Sequence, residues 1–292
     1  MKNYDTMILG HISKDIIITP QQQQTCAGGA VLYSAIAAKK INADIIALAK
    51  LSSEDLSLLD VFAEHNVPVI YRESKRTTSF VLTYASEDRE RRNCEATSVA
   101  EPFELKDIPK DIKVGLYYLG GLIKGDFPEK LIQALAKTGK IAIDVQGFLR
   151  VNENGRLVFK DWEKKKEILP IVSFLKTDAA EAEILTGTTD CEQAARILCS
   201  WGANEVMVTH SAGVTVCAEQ QIYTFPFTSR NLSGRTGRGD TCFSAYCSWR
   251  KNHSPKESCL FAAALTSLKM EIAGPFSGSI EDVESAIKRR YG

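Results

Sequence analysis

Nowhere in its 292 residues does the chain hold the roughly 20 consecutive apolar residues that a membrane-spanning helix requires. Met1–Asp15 reads as a short apolar strand, not as a basic head followed by a long apolar run, so no secretory leader is expected and the protein is placed in the cytoplasm. Net charge is missing too. Lys plus Arg and Asp plus Glu both number 36, which leaves no global field to gather nucleic acid. The eight cysteines contain no CxxC pair, and the four histidines lie far from any cysteine pair with ligand spacing, which argues against a zinc site. The thiols read as buried groups kept reduced by the cytosol. No GxGxxG follows the first apolar strand, so a dinucleotide-dependent oxidoreductase is disfavoured. There is no internal repeat, and Gln21–Gln24 reads as a polar loop.

What is present is an ordinary globular mixture, 44% apolar and 25% charged, able to bury a sizeable core within one large domain spanning 1–292. Short β-rich runs alternate with amphipathic stretches. The strands are expected at Thr6–Leu9, Asp44–Ala49, Gly115–Leu119, Ile141–Val145, Ile171–Lys176, Glu205–Thr209 and Val214–Cys217. Helices are expected at Ala30–Lys40, Asp55–His65, Pro128–Thr138, Ala179–Leu185 and Cys191–Trp201, and three more fill the chain from Gly239 onward. Near-continuous apolar strands separated by helices predict an α/β fold with a mostly parallel central sheet covered on both faces. Two regions, about 12–25 and 67–98, break the rhythm with polar-interrupted strands and no helix between them. Thr78–Tyr84 alternates in period two and Ser86–Arg89 suits a turn. An antiparallel β lid over a pocket at the carboxyl ends of the core strands follows.

The most informative segment is Gly234–Phe243, GRTGRGDTCF. Gly237 and Gly239 flank one residue and are followed at once by Asp240 and an amphipathic helix carrying Cys242, Phe243, Tyr246, Cys247 and Trp249 on one face. The backbone N–H groups of Arg238, Gly239 and Asp240 can converge on one point at a positive helix end, which suits an anion such as a phosphoryl group. Seen alone, Asp240 would be a plain N-cap. Two glycines directly before it cost chain entropy that a cap does not require, which favours an anion-holding loop.

GRTGRGDTCFSAY resembles the C-terminal signature of the ribokinase-like (PfkB) carbohydrate kinases, Asp-Thr-x-Gly-Ala-Gly-Asp-x-Phe. Other segments are similar in the family's order: Gly28-Gly29 opening a helix, Leu175–Gly187 (LKTDAAEAEILTG), Val206–Val214 (VMVTHSAGV) and GPFSG near the end. The resemblance implies an enzyme on a ribokinase-like sheet with a small β lid. Such an enzyme moves the γ-phosphate of ATP, with Mg²⁺, onto a hydroxyl of a small sugar or polyol. It implies Asp240 as general base, with the backbone of Gly237, Arg238 and Gly239 stabilising the transferring group. Glu181 would organise magnesium together with Asp178, which stands where the family has Asn. Thr209, Gly213, Arg235 and Gly274 would line the nucleotide. Asp15, Gly28, Gly29 and Tyr33 would face the acceptor, with the glycines as the lid's hinge. By the residues alone, Asp178 and Glu181 are equally a capped helix start, and Gly28-Gly29 a tight turn.

The departures shape the reading. Tyr33 stands where the family often has Asn, which puts ribose in doubt and keeps a nucleoside or myo-inositol as alternative acceptors. Gly234 replaces the Asp that opens the signature, and Arg238 the small residue between the glycines, so Arg230, Arg235 and Arg238 surround the phosphate site. Many relatives hold potassium partly through that Asp, so little dependence on potassium is expected, with Arg235 or Arg238 supplying the charge. A non-catalytic sugar sensor on the same fold is the rival of another class, and the intact Asp240 speaks against it. No nucleic acid or membrane partner is implied, and open strand edges in the lid predict a homodimer through it.

Overall fold

Successive residues of the first strand, β1 (Lys2–His11), point to opposite faces: Ile8 joins one apolar core, Met7 and Leu9 the other. An apolar strand of this kind is stable only where both faces are covered, which dictates a layered fold. The structure, a computed structural model, describes residues 2–84 and 92–292. The turn expected at Ser86–Arg89 lies outside the described residues.

After β1 the strands are β2 (Ser13–Ile18), β3 (Gln23–Gly28), β4 (Ile45–Leu51), β5 (Val69–Glu73), β6 (Thr78–Tyr84), β7 (Arg92–Ser98), β8 (Ile112–Leu119) and β9 (Lys140–Asp144). Then come β10 (Arg150–Glu153), β11 (Arg156–Phe159), β12 (Phe174–Asp178), β13 (Glu205–Thr209), β14 (Gly213–Ala218) and β15 (Gln221–Pro226). The helices are α1 (Ala30–Lys40), α2 (Asp60–Glu64), α3 (Glu129–Leu135), α4 (Gln146–Leu149), α5 (Lys165–Ile168), α6 (Ala179–Thr186), α7 (Cys191–Ser200), α8 (Arg238–Trp249), α9 (Pro255–Met270) and α10 (Ile280–Arg290).

One sheet runs in the order β15-β14-β13-β12-β9-β8-β1-β4-β5, parallel throughout except near one edge, where β14 is antiparallel to both β13 and β15. Helices α1, α8, α9 and α10 bury one face of it, and α3, α6 and α7 the other. This is the α/β architecture that the strand–helix alternation predicts. The second sheet, β10-β11-β7-β6-β2-β3, forms the lid. Two details differ from the sequence reading. Val69–Glu73, assigned to the lid region, instead pairs in parallel with β4 as the edge of the core sheet, because its apolar residues complete that layer. The lid instead gains the β10–β11 hairpin, whose four-residue strands carry no period-two signal and of which β11 pairs with β7 only at Arg156 and Glu95. Among the described residues, no helix is long and apolar enough to cross a membrane.

The chain crosses from core to lid at Ile12, between β1 and β2, and returns through Gly28 and Gly29 into α1. Gly29, the N-cap of α1, has φ 103° and ψ 150°, a region essentially closed to other residues. A Cβ there would also lie 2.5 Å from the His11 carbonyl oxygen. We expect Gly29→Ala to destabilise the fold by about 1–3 kcal/mol, seen as a lower Tm in thermal unfolding. An unchanged Tm would show that this junction carries no strain.

Candidate active site

Where the lid overhangs the carboxyl ends of the core strands, a cleft of about 1010 Å³ opens. That is where a parallel sheet exposes unpaired strand ends and helix N-termini together. The lid contributes Ser13, Asp15, Phe80, Leu82 and Cys94, and the strand ends Asp144, Lys176, Asp178 and Thr209. The floor is the loop before α8 and its first turn, Arg235 to Asp240.

Gly237 is the N-cap of α8 in the left-handed region, at φ 75°, and no side chain caps the helix. Asp240 is the third residue of α8, with its side chain in the cleft, so the plain-cap reading of this acid does not hold. The Arg238 N–H donates to the Arg235 carbonyl at 3.2 Å, which leaves the Gly239 and Asp240 N–H groups of the first turn available to an anion. A Cβ on Gly237 would run into the Tyr33 ring, so the loop packs directly on that residue. On Gly239 a Cβ would lie 3.2 Å from Lys176 Nζ, which places an ammonium group against the other side of the loop.

Lys176 is buried with its Nζ 3.0 and 3.1 Å from the two Asp144 carboxylate oxygens and 3.8 Å from Glu181 Oε2. Burial alone would discharge it, but the carboxylates of Asp144, Glu181, Asp178 and Asp240 outweigh that and raise its pKa. Asp240 is pushed up to about 6, first by burial and then by Asp144, against the pull of Lys176, Arg150 and Lys269. Burial likewise raises Glu181 to about 7, with Lys176 opposing. Lys269, on the last turn of α9, donates to the carbonyls of Gly234 and Thr236; burial pushes its pKa down to about 8 while Asp240 works to raise it.

The magnesium assignment meets a different geometry. Glu181 Oε2 accepts from the Asp178 N–H, and Asp178 Oδ1 from the Glu181 N–H, both at 2.8 Å. This is a capping box at the start of α6, and the nearest cation to Glu181 is the ammonium of Lys176. Among the described residues, no three His, Cys, Asp or Glu side chains converge as a ligand set. The two acids are engaged with each other's N–H groups and with Lys176, so the form of magnesium they could organise is a hydrated ion and not a direct chelate.

Of the residues singled out in the sequence, Asp15, Gly29, Tyr33, Asp178, Thr209, Arg235, Gly237, Arg238, Gly239 and Asp240 line the cleft. Others stand elsewhere. Glu181 lies behind it, and Gly28 lets β3 pass over Asp15 and Ser13, where a Cβ would collide with both. Gly213 is small because it meets Phe225 and Pro226 in the β14–β15 hairpin. Gly274 is exposed with open space around its Cβ position, and Ala273 lines the cleft in its place. The Arg238 guanidinium lies over the Phe227 ring, 5.7 Å from its centroid, so the charge on the loop's carbonyls is that of Lys269 and not of an arginine. The sequence reading missed Asp144, Gln146, Arg150, Lys176 and Lys269. Asp144 had a signal, an acid closing an apolar strand, and so did Lys176 and Lys269, lysines inside apolar runs.

The family pattern described as pfkB family carbohydrate kinase matches residues 4–281. A cytidine kinase of Thermococcus kodakarensis is 24% identical over 275 residues, 88% of this chain and 92% of that protein. Among solved structures, a sulfate complex of a pyrophosphate-dependent kinase in the ribokinase family is 36% identical, with TM-score 0.88, over 96% of this chain and 99% of the other. A pyrophosphate-dependent kinase in the same family, complexed with a pyrophosphate analog and myo-inositol, is also 36% identical, with TM-score 0.87, over 96% and 99%.

The electrostatics of the floor give a direct test. Removing the Asp144 charge takes away the repulsion that helps hold Asp240 up, so Asp144→Asn should lower the Asp240 pKa from about 6. Lys176→Met should raise it. Carboxyl NMR titration of Asp240 in the three proteins reads both directions, and a shift of the opposite sign in either variant contradicts the coupling.

Proposed function

This chain belongs to the pfkB family of carbohydrate kinases, and from that membership we propose that it transfers a phosphoryl group from inorganic pyrophosphate to a hydroxyl of myo-inositol or a similar cyclic polyol. The observation that carries the donor is the make-up of the cleft beside α8. It is walled by Lys176, Thr209, Ser233, Arg235, Arg238 and the helix N-terminus, and its apolar members there are Leu232 and Ala273. The aromatic lining residues, Tyr33 and Phe80, come from α1 and the lid, Tyr33 is packed against Gly237 and Lys269, and the nearby Phe227 ring lies beneath the Arg238 guanidinium, so among the described residues the rings near that end are already engaged. Charge without a free stacking surface suits a compact polyanion better than a nucleotide. The 36% identity to pyrophosphate-dependent kinases supports the same donor in place of the ATP expected from the sequence. At the lid end, Asp15, Tyr33, Gln146 and Arg150 offer hydrogen-bonding groups for a ring of hydroxyls, and Leu82 and Leu122 offer walls for its C–H edges.

In this reading the acceptor oxygen forms a bond to one phosphorus of pyrophosphate. The bridging P–O bond breaks, inorganic phosphate leaves, and the hydroxyl proton passes to the Asp240 carboxylate. The α8 N–H groups and the Lys176 ammonium meet the charge on the moving phosphoryl group, so the chain contributes position and neutralisation, not covalent help. Magnesium enters as part of the donor complex, not as an ion resident in the chain. Asp240 acts as base only when ionised, so kcat/KM should fall as pH drops through about 6.

Initial rates with pyrophosphate and with ATP, each against myo-inositol, ribose and cytidine, test the proposal. We expect kcat/KM for pyrophosphate to exceed that for ATP by at least about a hundredfold, with myo-inositol the best acceptor. Turnover on ATP alone would refute the donor. Asp240→Asn should lower kcat by at least roughly a hundredfold while pyrophosphate still binds, and retained turnover would remove Asp240 from the base role.

A further inference from the structure

The transfer step described above makes no use of Lys269. It is 2% exposed, on a helix otherwise built of small and apolar residues around it, and burying an ammonium there is costly unless something holds it. Three groups do. Its Nζ donates to the carbonyl oxygens of Gly234 and Thr236, and it stands 5.3 Å from the centroid of the Tyr33 ring. Gly234 is pressed onto the end of α9, its N–H donating to the Met270 carbonyl at 2.8 Å, and a Cβ there would collide with the Ile272 and Lys269 carbonyls. The loop is thus docked on this helix end by its backbone and by one ammonium.

The two carbonyls are not arbitrary. The peptide unit that begins with the Gly234 carbonyl ends with the Arg235 N–H, and the one that begins with the Thr236 carbonyl ends with the Gly237 N–H. A cation on a peptide oxygen polarises the N–H of the same unit, and hydrogen bonds in series strengthen one another. Arg235 and Gly237 both line the cleft.

We infer that Lys269 is a positioning residue of the donor site: seated on the Gly234 and Thr236 carbonyls, it fixes and polarises the anion loop, and supplies from within the chain a charge that small cations in solution would otherwise have to provide. The inference rests on the anion loop of the proposed function and is independent of the acceptor. It also assigns the internal cation to Lys269 and not to Arg235 or Arg238.

The test uses binding of magnesium pyrophosphate, followed by calorimetry without acceptor, at fixed ionic strength in tetramethylammonium buffer. Lys269→Ala leaves the carbonyls facing an empty seat, and Lys269→Met fills it without charge. Both should bind at least about tenfold more weakly than wild type. Added ammonium ions should restore Lys269→Ala but not Lys269→Met, and should leave wild type unchanged. A lysine that merely ties the fold together would lower Tm without any rescue by ammonium. Wild-type affinity in either variant, or loss in Lys269→Ala that ammonium does not restore, overturns the inference. So does a wild type that needs added potassium or ammonium to bind, a result that does not depend on either variant folding. Failure of wild type to bind magnesium pyrophosphate under every cation condition would instead refute the donor, and the same comparison would then be read with magnesium ATP.

Discussion

The ammonium of Lys176, held between Asp144 and Glu181 beneath the first turn of α8, is the interaction on which the cleft depends. Asp144, Asp178, Glu181 and Asp240 all act electrostatically on this one group. Carboxylates this close in a dry site cannot all ionise unless a cation stands among them. Even with Lys176 in place, Glu181 rests near 7 and Asp240 near 6. The lysine also lies against Gly239, so the group that balances the acids shapes the anion loop. Electrostatic balance and loop geometry are therefore set by one side chain at the end of β12.

The opposite flank of the loop is built in the same way. The Tyr33 ring touches Gly237 and stands over Lys269, so the wall of the acceptor end is also the support of the donor loop. With an ammonium group on each flank, the loop between Gly234 and Asp240 has little freedom to move except with α1 or α9. That rigidity suits a reaction whose acceleration comes from placing two oxygens in line across a phosphorus, where small misplacements are expensive. The lid is tied to the same framework through Gly29, which turns directly from β3 into α1, the helix that carries Tyr33.

Much of this was legible in the sequence because it rests on local pattern. Apolar strands alternating with helices fix a parallel sheet covered on both faces, and the Gly237–Asp240 run marks a helix start that no side chain caps. What stayed hidden depends on partners distant in the chain. Lys176 meets Asp144 across 32 residues, and Lys269 meets the Gly234 and Thr236 carbonyls across 35 and 33. Nothing in the local run around Lys269 tells that its ammonium will find two carbonyls and not solvent. The assignment of Val69–Glu73 to the lid region failed for a related reason, since a short apolar strand fits either sheet until the neighbouring layer is known. Gly213 and Gly274 looked like ligand-contact glycines, but a tight hairpin explains the first, and the second has open space around its Cβ position.

The reaction itself is most directly read by phosphorus NMR of a mixture of the protein, magnesium pyrophosphate and myo-inositol. Transfer through Asp240 to a hydroxyl requires one phosphate monoester and one inorganic phosphate for each pyrophosphate consumed, and no consumption when inositol is left out. Two inorganic phosphates per pyrophosphate without an ester, or pyrophosphate left intact by an active, folded protein, would contradict it.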